Sequence, residues 1–325
     1  MTATRQLQQG RAVWRSPDLA PGECDVVLRA EHRAALVHAT EQALTAGVTV
    51  ATIDRRSFPL PSMADDLADW VTELATGRGF LLLHDFPIDL LADDAAIELA
   101  YAGLGTHFGR PVGQNKEAEL LTHVRDERIP PDTGKVRLYR TRERQDFHTD
   151  GADIIGLLCL HTALRGGESR IVSSGAIYNE ILRSRPDLLE ALYTTMAWDR
   201  QGDVPAGELP YFMLAPINDL DGTPRVFYLG WYIRDAQAHP EVPRLTDAQL
   251  EAMALLESLA NDPSFHLEMD FRPGDVQLLN NGRILHAREA YDDAEDPDER
   301  RHLLRLWLAA HDFASVEAGL RGGVA

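Results

Sequence analysis

Three places in the chain set a histidine two residues before an acid: His148/Asp150, His239/Glu241 and His266/Glu268. Residues two apart on an extended strand point to the same face, so such a pair can aim an imidazole and a carboxylate at one point. That is two-thirds of a 2-His-1-carboxylate site, the ligand set that holds a non-haem Fe(II) on one face and leaves the other open. Spacing alone singles out none of the three. With 12 His and 51 acidic residues in 325, roughly two such triplets arise from random composition. The first is distinguished by its surroundings, because it opens the apolar run FHTDGADIIGLLCL. A third ligand should be a histidine on another strand. His286, in GDVQLLNNGRILHARE, follows a strand and an Asn280-Asn281-Gly282 turn, with neighbours typical of neither a core nor a plain solvent face. The competing reading of any single histidine is a surface or satisfied core residue.

Arg301 and Arg305 follow in RRHLLRLWLA, where positions 301, 303, 305 and 307 share one face of a strand. Arg305 sits between Leu304 and Leu306, with Trp307 next. A guanidinium in so apolar a strand is costly to bury without an anion, and its planar fork matches a carboxylate bidentately. The anion is either an internal Asp or Glu or a bound acid.

These residues need elements to position them. Residues 1 to about 28 read as a loose arm or an edge strand. Glu31 to Ala46 is Ala-rich and helix-prone, ended by Gly47. A second helix, with Ser62 as its cap, places Leu67, Trp70, Val71 and Leu74 on one buried face. FLLLHDF (80–86) then reads as a buried strand, followed by a helix from about Ala92 to Leu104. Residues 111–145, with Pro130-Pro131 and Gly134, predict a long loop with short strands, a length that is often functional. After His148 the pattern is of short strands: 153–161, 169–173, 195–200, 211–217, 225–233, 265–271, 275–280 and 301–309. Two helical insertions interrupt them, over about 175–193 and from Thr246, where Gln249 closes a capping box. Many short strands with Gly and Pro turns favour a sandwich or barrel over a doubly wound sheet. No boundary divides the chain. The reading is one domain over 1–325, with a helical N-terminal part (about 29–105) and a β core (about 79–86 and 135–310).

Composition narrows the functional classes. The formal charge of −19 argues against nucleic acid or an anionic membrane surface as partner. Hydrophobic content of 44% with 26% charged residues is that of a soluble globular protein. No stretch approaches the roughly 20 apolar residues of a membrane span, and MTATRQLQQG lacks a signal-peptide core. A soluble, cytoplasmic protein is expected. Cys24 and Cys159 are expected to be unpaired, Cys159 as a small buried hydrophobe. Oligomeric state is open, since neither an exposed apolar stripe nor a coiled-coil repeat is visible.

Taken together, His-Thr-Asp (148–150), GGES (166–169), a late His286 and arginine on the last apolar strand occur in the order that resembles the Fe(II)- and 2-oxoglutarate-dependent dioxygenases of the taurine dioxygenase (TauD/TfdA) family. The resemblance covers roughly residues 75–310. It implies a mainly β, α+β fold with flanking helices around a double-stranded β-helix, or jelly-roll, with metal inside one end. Carried over by position, His148, Asp150 and His286 would be the iron ligands. Arg305 would pair with the distal carboxylate of 2-oxoglutarate, assisted by Arg301. Ser169 stands where the family often has a threonine touching that carboxylate, and Gly166-Gly167 would shape the turn leading to it. The His286-to-Arg305 interval is longer than usual, with DDAEDPDE inserted, which also puts Arg301 in line as principal partner.

The implied reaction consumes O2 and 2-oxoglutarate, releases succinate and CO2, and oxidises an unactivated C–H bond of a small molecule. Hydroxylation is the default outcome; desaturation, cyclisation or oxidative decarboxylation need only a different substrate position. The family's lid segments nominate Gln114, Asn115, Tyr139, Arg144 and Tyr211 as substrate contacts. Arg144 could pair with a carboxylate, which would suit an amino acid or small organic acid. Two other classes use the same fold: a non-redox metalloenzyme (a Zn hydrolase or cupin-like isomerase), and a binding protein that has lost its metal. The first leaves Arg305 and the GGES turn without a role. The intact HTD and His286 speak against the second.

Overall fold

The computed structural model describes residues 5–129, 136–205, 207–220 and 222–311. Pro130, Pro131 and Gly134 of the expected long loop lie outside them.

Two β-sheets enclose the site. The larger has seven strands in the order Asp25–Val27, Phe80–His84, Val276–Asn280, Ile154–His161 and His302–Ala310, with Gly109–Pro111 and Leu121–Val124 both pairing with the last of these. Only the first pair is parallel. The smaller sheet runs His266–Met269, Ser169–Ser173, Ile284–Arg288 and Gln145–His148, all antiparallel. Facing sheets with helices outside them form the jelly-roll core.

Strand alternation explains the layering. Leu304, Leu306 and Leu308 point outward into the core shared with the N-terminal helices, whereas Leu303 and Trp307 point between the sheets. Leu81 and Leu83 divide from Phe80 and Leu82 in the same way. Such strands are apolar on both faces, so a charged residue on the inward face, such as Arg305, must be there to meet something. Behind the smaller sheet, the helices Ser174–Ser184, Pro186–Leu192 and Asp247–Ala260 pack on Val172, Leu285 and Ala287.

The N-terminal helices follow the pattern read from sequence, with local differences. Ala30–Thr45 ends before Gly47, whose φ of 71° is the left-handed turn expected there. In Ala64–Thr76, Leu67, Trp70 and Leu74 are buried, but Ser62 is not its cap; it lies inside the 3-10 turn Pro61–Met63 that leads into the helix. Asp93 caps Asp94–Gly105, its side chain accepting from the Ala96 N–H. The Thr246–Gln249 capping box is present at the start of Asp247–Ala260.

The segment expected as a strand over 225–233 is instead a strand, Thr223–Val226, followed by the helix Gly230–Ala236. A short apolar run reads alike for a buried strand and a buried helix, and packing decided this one. Likewise 211–217 divides into Tyr211–Leu214 and Ile217–Leu220, each in its own hairpin, and the 175–193 insertion breaks at Pro186 into two helices. No helix among the described residues is long and apolar enough to cross a membrane. Cys24 and Cys159 are buried and unpaired.

Candidate active site

His148 ends the strand Gln145–His148, and its Cα partner across the sheet is His286. Pairing therefore brings the two imidazoles together, ring centroids 4.2 Å apart. Asp150 is not on the strand, as simple alternation predicts, but just beyond its end. The turn that carries it is held by Asn281, whose side chain accepts from the Asp150 N–H at 3.0 Å and donates to the carbonyls of Asp150 and Ala152 at 2.6 and 2.8 Å. Thr149 fastens the other side: its N–H donates to the Tyr228 carbonyl and its hydroxyl accepts from the Tyr228 N–H. All three site residues are buried, and their donor atoms lie within 4.8 Å of one another.

His148 and Asp150 are in the protonation states a metal requires. A carbonyl can only accept, so the 2.8 Å contact of His148 Nδ1 with the Asp146 carbonyl places the proton on Nδ1 and leaves the Nε2 lone pair for a metal. Burial and the neighbouring His286 push the His148 pKa down to about 3, keeping the ring neutral. Burial by itself would raise the Asp150 pKa; Arg305 and the two imidazoles instead hold it well below the usual carboxylate range. Two imidazoles, that of His148 neutral, and one ionised carboxylate are a donor set that fits Fe(II). His239 and His266 are elsewhere: His239 pairs with Asp199 at 2.8 Å, and His266 Nδ1 meets the Ala260 carbonyl at 3.0 Å.

The arginines occupy different places. Arg305 Nη1 is 3.4 Å from Asp150 Oδ2, which also accepts from Trp307 Nε1 at 3.0 Å. Its guanidinium lies near the rings of Tyr139 and Trp307, 4.8 and 5.0 Å from their centroids. Arg301 is buried beside the GGES turn, donating to the Gly167 carbonyl at 3.3 Å, while its Nη1 is buried without a partner among the described residues. Burial lowers its pKa. Gly167 has φ 78°, and a Cβ there would come within 2.9 Å of Arg301 Nε, so glycine is what admits this side chain. Ser169 is buried, hydrogen-bonded with Gln277 at 3.0 Å. One cavity is lined by His148, His286, Ser169, Arg288, Arg301 and Arg305, among others.

The nominated substrate residues scatter. Tyr139 lines the cavity. Gln114 is buried and braces Arg305, its Oε1 accepting from Arg305 Nε at 2.8 Å and its Nε2 donating to the Arg305 carbonyl at 2.9 Å. Asn115 ties its own loop through Glu119 at 2.6 Å. Arg144 is exposed on the outer surface, 3.1 Å from Asp146 and 3.6 Å from Glu289. Tyr211 packs against His239, away from the cavity lining. Sequence reasoning passed over Asn281, Trp231, whose ring stands 5.2 Å from that of His148, and Arg288. Only Arg288 carried a local signal, two residues beyond His286 on the same strand face.

Known proteins provide independent context. The family described as taurine catabolism dioxygenase TauD, TfdA family matches residues 42–307. FR-33289 synthase of Streptomyces rubellomurinus is 32% identical over 311 residues, spanning 92% of this chain and 89% of that protein. A taurine hydroxylase-like protein of Stachybotrys chartarum is 31% identical over 90% of this chain and 77% of its own length. Among solved structures, an asparagine oxygenase in complex with Fe(II), 3-hydroxyasparagine and succinate superposes with a TM-score of 0.67 at 15% identity, covering 88% of this chain and 93% of that one. The chain belongs to the TauD/TfdA family of Fe(II)- and 2-oxoglutarate-dependent dioxygenases.

Proposed function

We propose that His148, Asp150 and His286 hold the iron, that Arg301 with Ser169 takes the distal carboxylate of 2-oxoglutarate, and that Arg305 faces an anionic substrate. The observation that carries the division is the place of Arg305. Its guanidinium is 3.4 Å from Asp150, too close to the metal to reach the far end of a diacid whose other end chelates that metal. Arg301 is buried, lines the same cavity and keeps an unpaired Nη1, the condition in which a bound carboxylate repays its desolvation. Arg305 is therefore the family's distal-carboxylate arginine by position only, and the inserted DDAEDPDE segment is consistent with Arg301 in that role.

Iron bound here supplies the activation of O2 that couples 2-oxoglutarate decarboxylation to C–H oxidation. The protein's part is positional. Asp146 fixes the His148 tautomer, Asn281 fixes Asp150, and Gln114 with Tyr139 fixes Arg305. Trp231 packs edge-on against His148, and Trp307 donates its indole N–H to Asp150. Taurine and hydroxyasparagine, the compounds in the relatives' names, share a small acid group, and a small amino or organic acid is the substrate class that Arg305 suits.

Anaerobic titration with Fe(II) and then 2-oxoglutarate tests the assignment. The weak visible charge-transfer band of the chelate is expected only with both present, in wild type but not in Asp150→Ala. A band that survives in Asp150→Ala overturns the ligand set.

A further inference from the structure

The cavity holds a further arginine that none of these roles uses. Arg288 follows His286 by two residues on the strand Ile284–Arg288, is 6% exposed and lines the same cavity as Arg301 and Ser169. Its Nη1 donates to the Thr141 carbonyl at 3.0 Å and its Nη2 to the Glu143 carbonyl, but its Nε is buried with no partner among the described residues. Arg288 and Arg301 both stand 5.0 Å from the centroid of the Tyr291 ring, and each guanidinium feels the charge around that shared ring. Each is thus a buried cation with a guanidinium nitrogen that has no partner among the described residues, and both residues line one cavity. A buried charged donor left unpaired is expensive, and a carboxylate has two oxygens with which to satisfy both.

We propose that Arg288 is a second co-substrate-binding residue, its Nε sharing the distal carboxylate of 2-oxoglutarate with Arg301. The inference rests on the assignment of that carboxylate to Arg301. A bridged carboxylate makes the pocket selective: a 2-oxo acid without the far acid group forfeits both donors, although it can still chelate the metal. The two backbone carbonyls held by Arg288 also give it a bracing role, so the test must separate bracing from binding.

The separation comes from comparing two ligands on the Fe(II) protein without O2. 2-Oxoglutarate and 2-oxopentanoate share the chelating end, and only the first has the distal carboxylate. In Arg288→Met the preference for 2-oxoglutarate should fall by about tenfold or more, the worth of one charge-assisted hydrogen bond, with 2-oxopentanoate affinity little changed. Arg288→Lys, which keeps the cation and is the milder change if the methionine variant fails to fold, should show a smaller fall in the same direction. Equal weakening of both ligands, or an unchanged preference, overturns the proposal in favour of bracing alone. A wild-type protein with no preference for 2-oxoglutarate would instead remove the carboxylate assignment on which the proposal depends.

Discussion

Charge at the site converges on Asp150. Its Oδ2 accepts from Trp307 and faces Arg305 and His286, while Oδ1 lies 3.7 Å from His148. Asp150→Ala should abolish turnover while leaving far-UV circular dichroism and the melting transition cooperative, because the turn is held through backbone groups rather than through this carboxylate. Retained turnover would point to another ligand set. The two arginines give a second test. Arg301→Lys should raise the 2-oxoglutarate concentration needed for half-maximal succinate release by about tenfold, since an ammonium cannot reproduce the planar fork. Arg305→Lys should leave that value within a few-fold and weaken the primary substrate. The opposite pattern would exchange their roles. Of these residues, the candidate ligands were legible from their surroundings and the order of motifs along the chain, not from spacing alone. The division between the arginines was not, because it depends on the distance from Arg305 to a residue 155 positions earlier in the chain.

At the scale of elements, the site depends on turns as much as on strands. The strand Gln145–His148 stops one residue before Thr149, and Asn281, from the turn on the opposite side, holds the backbone of Asp150 and Ala152. Asn281→Ala leaves those buried backbone groups unpaired and should cost about 2–3 kcal/mol in urea unfolding. It should also weaken Fe(II) binding by about 10- to 100-fold, as loss of a residue that orients a ligand does. A stability loss with unchanged metal affinity would reduce Asn281 to a structural brace. The sequence marks Asn280-Asn281-Gly282 as a turn, but which amide faces the neighbouring loop is set by how the two loops pack. In the same way, Gly167 is legible as a turn residue, whereas its need to admit Arg301 appears only in three dimensions.

Across the whole molecule, the last strand links the site to the outer sheet. His302, next to Arg301, is cross-strand from His161, and its Nε2 lies 2.8 Å from His123 Nδ1. Burial, then His123, Arg125 and His161, push its pKa down to about 4 from an ordinary 6.5. Between those values the unfolded chain binds a proton that the folded chain refuses, so stability should fall as pH drops from about 6.5 towards 4 and be level above it. Urea melts at pH 4.5 and 7.5 should differ less in His302→Asn than in wild type. An unchanged difference would place the acid sensitivity in other groups.

The candidate ligands, most of the helices and strands, and the family are written in the chain itself, because they reside in motif order, apolar alternation and capping signals; the helix Gly230–Ala236 is an element they missed. Those signals survive without knowledge of which strands are neighbours. What the charged residues meet was settled in three dimensions alone. Gln114 and Tyr139 turned out to hold Arg305, Arg144 to lie on the surface, and Arg288 to join Arg301 around Tyr291. Each of these outcomes is a contact between segments remote in the chain. Register and sheet packing create such contacts, and no periodicity within a single segment encodes them.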